Sequence, residues 1–350
     1  MKRIFKGALL LILIAIIAAV LYVVITFPPV MAGMAAKTIC SCVYVSGRTL
    51  NSVVEKELQV FPGLANAAIT FDETDSTVTA KVLWRKSTAI YRKGLGCTLL
   101  STRTEDEIRR QPITLPPFPA INQDSLWWPM GDKTDSVLVP KVNNEIIYLA
   151  LEEAFEEKDP KKAVNTHAIV VVYDGQIIGE KYAPGFDKHS KLMGWSMAKS
   201  ITNALIGILV NEGKLKTMYP APVPEWKDDD RRGITLDHLL HATSGLSWSE
   251  SYFIPTSDFH KMFIRSDDKA AYAAGRPLKH RPGEFFEYSS GTTNILSRII
   301  RHKLGDEEYY RFPYKKLFYK IGMNHTVLEP DPSGTFVGSS YAFASARDWA

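Results

Sequence analysis

The chain has 350 residues, 45% of them hydrophobic, with 42 Lys and Arg against 38 Asp and Glu and a formal charge of +4. That length leaves room for more than one domain, and the composition is that of a folded globular protein. The positive charge is spread without a basic run, so nothing points to a nucleic-acid partner.

Lys2, Arg3 and Lys6 precede residues 8–27 (ALLLILIAIIAAVLYVVITF), which are apolar except for Tyr22 and Thr26. About 20 apolar residues, at ~1.5 Å of rise each, cross a hydrocarbon core of ~30 Å. Only Lys37 is charged in the comparable stretch that follows. The positive-inside rule therefore puts the N-terminus in the cytoplasm and the rest on the periplasmic, extracytoplasmic side of the inner membrane. The run is longer than the apolar core of a signal peptide, so it is read as an uncleaved single-pass anchor. The competing cleavage reading rests on Gly33-Met34-Ala35, a weak site.

Residues 28–36 are expected to form a short exit from the membrane. Residues 37–110 alternate at 68–71 and 77–84, which predicts a small β-containing region. Cys40, Cys42 and Cys97 are the cysteines. In an oxidising compartment two of them can pair. Cys97 is one partner of any long-range bridge, and its partner is Cys40 or Cys42. Cys40 and Cys97 are the candidates carried forward. No metal is assigned, because Cys-x-Cys lacks further thiolates.

Residues 111–140 include QPITLPPFPA and predict an extended crossing segment. Residues 143–157 have helical spacing after an Asn start. In AIVVVYDGQIIGEKYAPG, two β-rich runs flank Asp174-Gly175, a type I′ hairpin signal. Residues 196–211 then read as an apolar helix ended by Gly213. Further helices are expected at 236–241, 267–274 and 292–304. A hairpin followed by helices needs more strands to complete a sheet, and none is evident before Ala350. The expected organisation is an anchor and exit at 1–36, a region with the disulfide and Pro-rich segment at 37–140, and a main domain at 141–350.

Two Ser-x-x-Lys tetrads are present, Ser196–Lys199 and Ser266–Lys269. Chance predicts about two in a chain of this composition, so context must separate them. Ser196 opens an apolar helix, where N–H groups and the dipole favour negative charge. Lys199 lies one turn on, on the same face, among Trp195, Met197, Ala198 and Ile201. A lysine in that company is partly desolvated and can serve as the base that serine needs to become a nucleophile. Ser266 instead has Asp267 and Asp268 beside it, which Lys269 would simply neutralise. About ninety residues after Ser196, GEFFEYSSGTTNILSRII places Tyr288 before a Ser-Ser-Gly turn and a helix. A tyrosine beside a lysine can relay protons.

These stretches resemble the serine hydrolases of the class C β-lactamase and penicillin-binding-protein superfamily. The resemblance is nearest to the branch of esterases, D-aminopeptidases and 6-aminohexanoate-oligomer hydrolases. It runs over residues 163–350 through VVYDGQIIGEKYAPG, GWSMAKS, ITLDHLLHATSGLSW, PGEFFEYSSGTTNIL and EPDPSGTFVGSSYAFASARDWA. It implies an α/β (α+β) fold: an antiparallel sheet flanked by helices, with a helical subdomain. It also implies acyl transfer with Ser196 as nucleophile, Lys199 as base and Tyr288 as proton relay, and the Ser196 N–H as half of an oxyanion hole.

Two departures bear on function. Tyr288-Ser289-Ser290 replaces the family's Tyr-x-Asn, so Ser290 offers a shorter, single-hydroxyl contact. That speaks against β-lactams and leaves ester or amide hydrolysis. The third motif, Lys- or His-x-Gly on a late strand, is absent from these 350 residues, so the domain is expected to be truncated at its C-terminus.

Trp195 and Trp248 join Ser290 as candidate substrate contacts, with Tyr252 a further cleft aromatic. His238 and His241 make at most half a zinc site without a companion motif, so capping or packing is expected of them. The sequence thus predicts a membrane-anchored hydrolase of a small or short-oligomer ester or amide, without cofactor or metal. The rival reading is a non-catalytic cell-envelope binding protein that keeps the fold.

Overall fold

The computed structural model describes residues 2–60, 63–134, 142–159 and 162–350. Helix α1 spans Lys2–Tyr44, and its two halves differ. Between residues 5 and 23 the large apolar side chains point outward, whereas Val30, Ala32, Ala35, Ala36, Ile39 and Cys40 are buried. The stretch 28–36 expected to leave the membrane is helical, the helix running on through Pro28 and Pro29. A proline removes a backbone hydrogen bond and crowds the preceding turn. The buried stripe at 32, 35, 36, 39 and 40 has helical spacing, and its packing holds the helix beyond the prolines. Small residues permit close approach: a Cβ on Gly33 would stand 2.8 Å from Ile264.

Helix α2 (Leu50–Lys56) leads to four strands, β1 (Ala68–Asp72), β2 (Thr77–Val82), β3 (Arg85–Arg92) and β4 (Gly96–Leu99). They form an antiparallel meander in the order β1-β2-β3-β4. The buried half of α1 packs on β2, β3 and β4. Cys40 of α1 is bonded to Cys97 of β4, with Cα atoms 6.0 Å apart, and Cys42 is buried and free. Closing a loop of 57 residues restricts the unfolded chain and contributes about 4 kcal/mol in the chain-entropy account.

Buried Glu329 joins this region to the C-terminal part of the chain. It accepts from Lys37, from Ser41 Oγ at 2.9 Å and from the Cys97 N–H at 2.7 Å. Three donors satisfy a carboxylate that would otherwise be costly to bury. Helix α3 (Glu105–Arg109) starts at a capping box on Thr104. After it residues 112–122 run without regular structure into a 3-10 turn at Gln123–Ser125, with the Gln111 side chain donating to Pro332 O at 2.7 Å. Residues 135–140 of that segment, and the expected boundary at 140/141, lie outside the described residues.

Helix α4 (Asn144–Ala154) begins where the Asn143 side chain accepts from the N–H groups of Glu145 and Ile146. Strands β5 (Ala168–Tyr173) and β6 (Gln176–Tyr182) form the hairpin. Its turn residues, Asp174 at φ 48° and Gly175 at φ 74°, have the positive φ that type I′ requires. Among the described residues the hairpin stays a two-stranded sheet, and a separate small sheet forms. β7 (Leu192–Met193), β8 (Val327–Leu328) and β9 (Ala342–Ala344) form a sheet in the order β7-β9-β8. With two or three residues each, they are too short to show alternation in a sequence.

Helices that build the block around the site include α5 (Ala198–Asn211), α6 (Leu236–Leu240), α7 (Asp258–Arg265), α8 (Lys269–Ala274) and α9 (Ser290–Leu304). Every residue of α9 from Ser290 to Ile300 is buried, and α5, α6 and α8 pack around it. The result is a mixed α/β architecture of antiparallel sheets and a helical block, with the start of α5 facing the start of α9.

Candidate active site

Gly194 sets the entry to α5. A Cβ there would lie 2.2 Å from the Trp349 ring, and its N–H donates to Ala342 O of β9 at 2.8 Å. Trp195 follows at φ 45°, a left-handed conformation that a bulky side chain rarely adopts and that local packing must hold. Residues Trp195–Met197 make a tight 3-10 turn that runs into α5. Ser196 sits exposed in this turn, where N–H groups lack intrahelical acceptors and the positive end of the helix dipole lies.

The half-buried Lys199 comes back over Ser196. Its Nζ donates to Ser196 Oγ at 3.1 Å, to Ser290 Oγ at 3.4 Å and to Ser339 O at 2.9 Å. Tyr288 reaches the same oxygen from the other side, its O–H donating to Ser196 Oγ at 2.8 Å. Lys199 Nζ also lies 4.9 Å from the centre of the Tyr288 ring, within cation–π range.

Ser289 caps α9, accepting from the Thr292 N–H at 3.1 Å, which fixes Ser290 as the first helical residue. The N–H of Ser290 therefore needs an acceptor outside the helix, and it finds Glu250 Oε2 at 2.9 Å. The Ser290 hydroxyl donates to Glu250 Oε1, and the Trp248 indole N–H donates to Oε2. Tyr252 O–H adds a longer contact to Oε1 at 3.4 Å. Burial first, then the charge of Glu250, pushes the Tyr252 hydroxyl up to about 12. Glu250 thus ties Ser290 and two aromatic residues together, and Ser290 reaches on to Lys199.

Glu250 was not legible as a site residue. It lies just beyond the ITLDHLLHATSGLSW block, a single acid between two serines, and only its position in space shows what it gathers. The carbonyl of Ser339 carries no sequence signal at all.

Ser196 and Ser290 line a cavity of about 890 Å³, with Met34, Trp195, Tyr252 and Phe259 among its walls. Trp195 stands at this cavity. Trp248 does not, and that expectation is corrected. It is 8% exposed and packs into the helical block, where a Cβ on Gly291 would lie 2.6 Å from its ring. Its effect on the site passes through Glu250.

The second tetrad is built differently. Lys269 is 3% exposed, and its Nζ donates to the backbone O of Ser266 at 2.7 Å, while the Ser266 hydroxyl donates to Asp268 O at 2.8 Å. This lysine is buried, and the charges of Asp331, Asp267 and Asp268 act on it. His238 caps α6, accepting from the Thr235 N–H through Nδ1 at 3.2 Å, and His241 lies beside Asp237.

The profile of the Beta-lactamase family matches residues 151–350, more than half of the chain. The chain belongs to that family. Its similarity extends to a 6-aminohexanoate-dimer hydrolase of Paenarthrobacter ureafaciens, 23% identical over 156 residues, which are 40% of this chain and 38% of that protein. Penicillin-binding protein 4* of Bacillus subtilis (strain 168) is 30% identical over 133 residues, 37% of this chain and 29% of that protein. The chain thus spans well under half the length of these curated relatives. Among solved structures, FmtA from Staphylococcus aureus aligns with a TM-score of 0.46 and 16% identity, over 62% of this chain and 66% of that one. Ser196, Lys199, Glu250, Tyr288 and Ser290 lie within residues 151–350.

Proposed function

We propose that this family member is a serine hydrolase that cleaves an ester or amide bond through an acyl-enzyme on Ser196. The carrying observation is that Ser196 Oγ, at the wall of the cavity, lies 3.1 Å from Lys199 Nζ and 2.8 Å from Tyr288 OH. Lys199 in its neutral form takes the Ser196 proton, and Oγ attacks the substrate carbonyl carbon. The Ser196 N–H, free at the start of the helix, meets the oxygen that becomes negative. Tyr288 hands a proton to the departing alcohol or amine as the carbonyl re-forms. Water then attacks the acyl group, and Ser196 regains its proton as the acid leaves.

A relative named for hydrolysing the 6-aminohexanoate dimer supports a small molecule or short linear oligomer as substrate. Residues 8–27 serve as the membrane anchor, a reading supported by the outward apolar side chains of that half of α1. The basic N-terminus lies in the cytoplasm, and the domain lies outside the inner membrane.

A fluorophosphonate probe tests the proposal. The expected result is one adduct, located at Ser196 by peptide mass spectrometry and absent from Ser196→Ala. Labelling that persists in that variant overturns the assignment. A protein that forms no adduct and turns over no ester or amide is the non-catalytic binding protein.

A further inference from the structure

We infer that the substrate is membrane-borne: an amphiphile whose acyl chain reaches this site from the bilayer, beside a loop at residues 251–257 that is seated in the membrane surface. This rests on the hydrolase reading and adds the substrate class. The decisive contact is between two distant segments. Tyr22 OH and Thr256 Oγ1 are 3.0 Å apart. Tyr22 lies five residues before the end of the apolar run at Phe27, about 7–8 Å back along the helix axis. A loop bonded to the helix at that level cannot stand clear of a bilayer that the helix spans.

The loop suits that position. Phe253 is 79% exposed and Ile254 49% exposed. Such side chains favour the boundary between headgroups and acyl chains. The loop is also built rather than loose. Ser257 Oγ donates to Ser251 O at 2.7 Å, and His260 Nδ1 donates to Ile254 O at 2.8 Å.

The same loop reaches the chemistry. Tyr252, next to Phe253, stands in the cavity wall and packs edge-on against Phe259, with ring centres 4.8 Å apart. Met34 and Thr38 bring α1 itself into that wall. Met34 is seven residues past Phe27, so the cavity begins about 10 Å beyond the apolar run. Each methylene drawn from hydrocarbon into water costs ~0.8 kcal/mol. An acyl chain passing directly from bilayer to a cavity walled by Met34, Met193, Trp195 and Phe259 avoids most of that cost.

The test uses the full chain in phosphatidylcholine vesicles, with p-nitrophenyl palmitate in the lipid and p-nitrophenyl acetate in the water. Phe253→Asp combined with Ile254→Asp is expected to lower palmitate turnover about tenfold or more and acetate turnover less than about twofold. Equal losses overturn the inference, because the loop then supports the fold alone. Unchanged palmitate turnover overturns it as well. Independently of activity, a nitrobenzoxadiazole label on Phe253→Cys is expected to be quenched by doxyl-labelled lipid; quenching by aqueous iodide instead puts the loop outside the membrane. If wild-type protein hydrolyses neither ester and Ser196 takes no probe, the hydrolase reading fails and the substrate class falls with it, while lipid quenching still reports the loop.

Discussion

Ser196–Lys199 and Ser266–Lys269 share a spacing and little else. At the first, the serine is exposed on a tight turn, and the lysine amine points at its oxygen. At the second, the lysine is buried and bonds the serine's backbone carbonyl, and the serine hydroxyl bonds Asp268 O. One arrangement leaves a hydroxyl facing a cavity with a lysine and a tyrosine around it. The other uses every polar group to close the start of a short helix. Spacing on a helix decides only that two side chains share a face. The neighbours that arrive from elsewhere decide whether the pair is chemistry or architecture.

That contrast can be broken in several ways. The largest expected effect is at the nucleophile: Ser196→Ala abolishes fluorophosphonate labelling and ester turnover, whereas Ser266→Ala keeps both. Exchanging the lysines separates the two sites next. Lys199→Met is expected to lower kcat by about 10²–10⁴ in protein that still folds. Lys269→Met is expected to leave labelling of folded protein intact and cost about 1–3 kcal/mol of stability, because a buried carbonyl loses a charged donor. Chemical denaturation and steady-state kinetics on both variants check this, and a catalytic loss without unfolding in Lys269→Met would falsify the assignment.

Glu250→Gln sharpens the comparison at the first tetrad. It replaces one acceptor of Ser290 by a donor, which frees the hydroxyl that Lys199 reaches. A fall of about ten- to a hundredfold in kcat with little change in KM is expected from losing a hydrogen bond to a charged group. A change in KM alone would place Glu250 in substrate binding instead. The smallest catalytic effect is expected at the disulfide. Cys97→Ser costs about 4 kcal/mol under oxidising conditions and leaves the activity of folded protein unchanged. Wild type and variant should unfold alike once a reductant is present.

Much of the fold was legible where the signal is local. Asp174-Gly175 between two β-rich runs is enough for the hairpin, and apolar spacing is enough for a helix expected at 292–304, which the structure begins two residues earlier at Ser290. The continuation of α1 past Pro28 and Pro29 was not legible, for a physical reason. Proline weakens a helix locally, but Ala32, Ala35, Ala36 and Ile39 bury against a sheet that forms forty residues later. Strands β7, β8 and β9 escaped notice because each exists only through its partners. Trp248 was placed at the cleft on residue type, yet the Gly291 gap takes it into the core.

The sequence by itself determined the apolar segment, the hairpin, the two tetrads and the family blocks, because each is a run of neighbours read at a fixed period. Only the tertiary structure decided which lysine faces an open hydroxyl, that Cys40 pairs with Cys97, that Glu250 gathers Ser290 and Trp248, and that Thr256 meets Tyr22. Those are contacts between residues far apart in the chain. No period encodes them; they follow from packing the buried half of α1 and the helices around α9 into one interior.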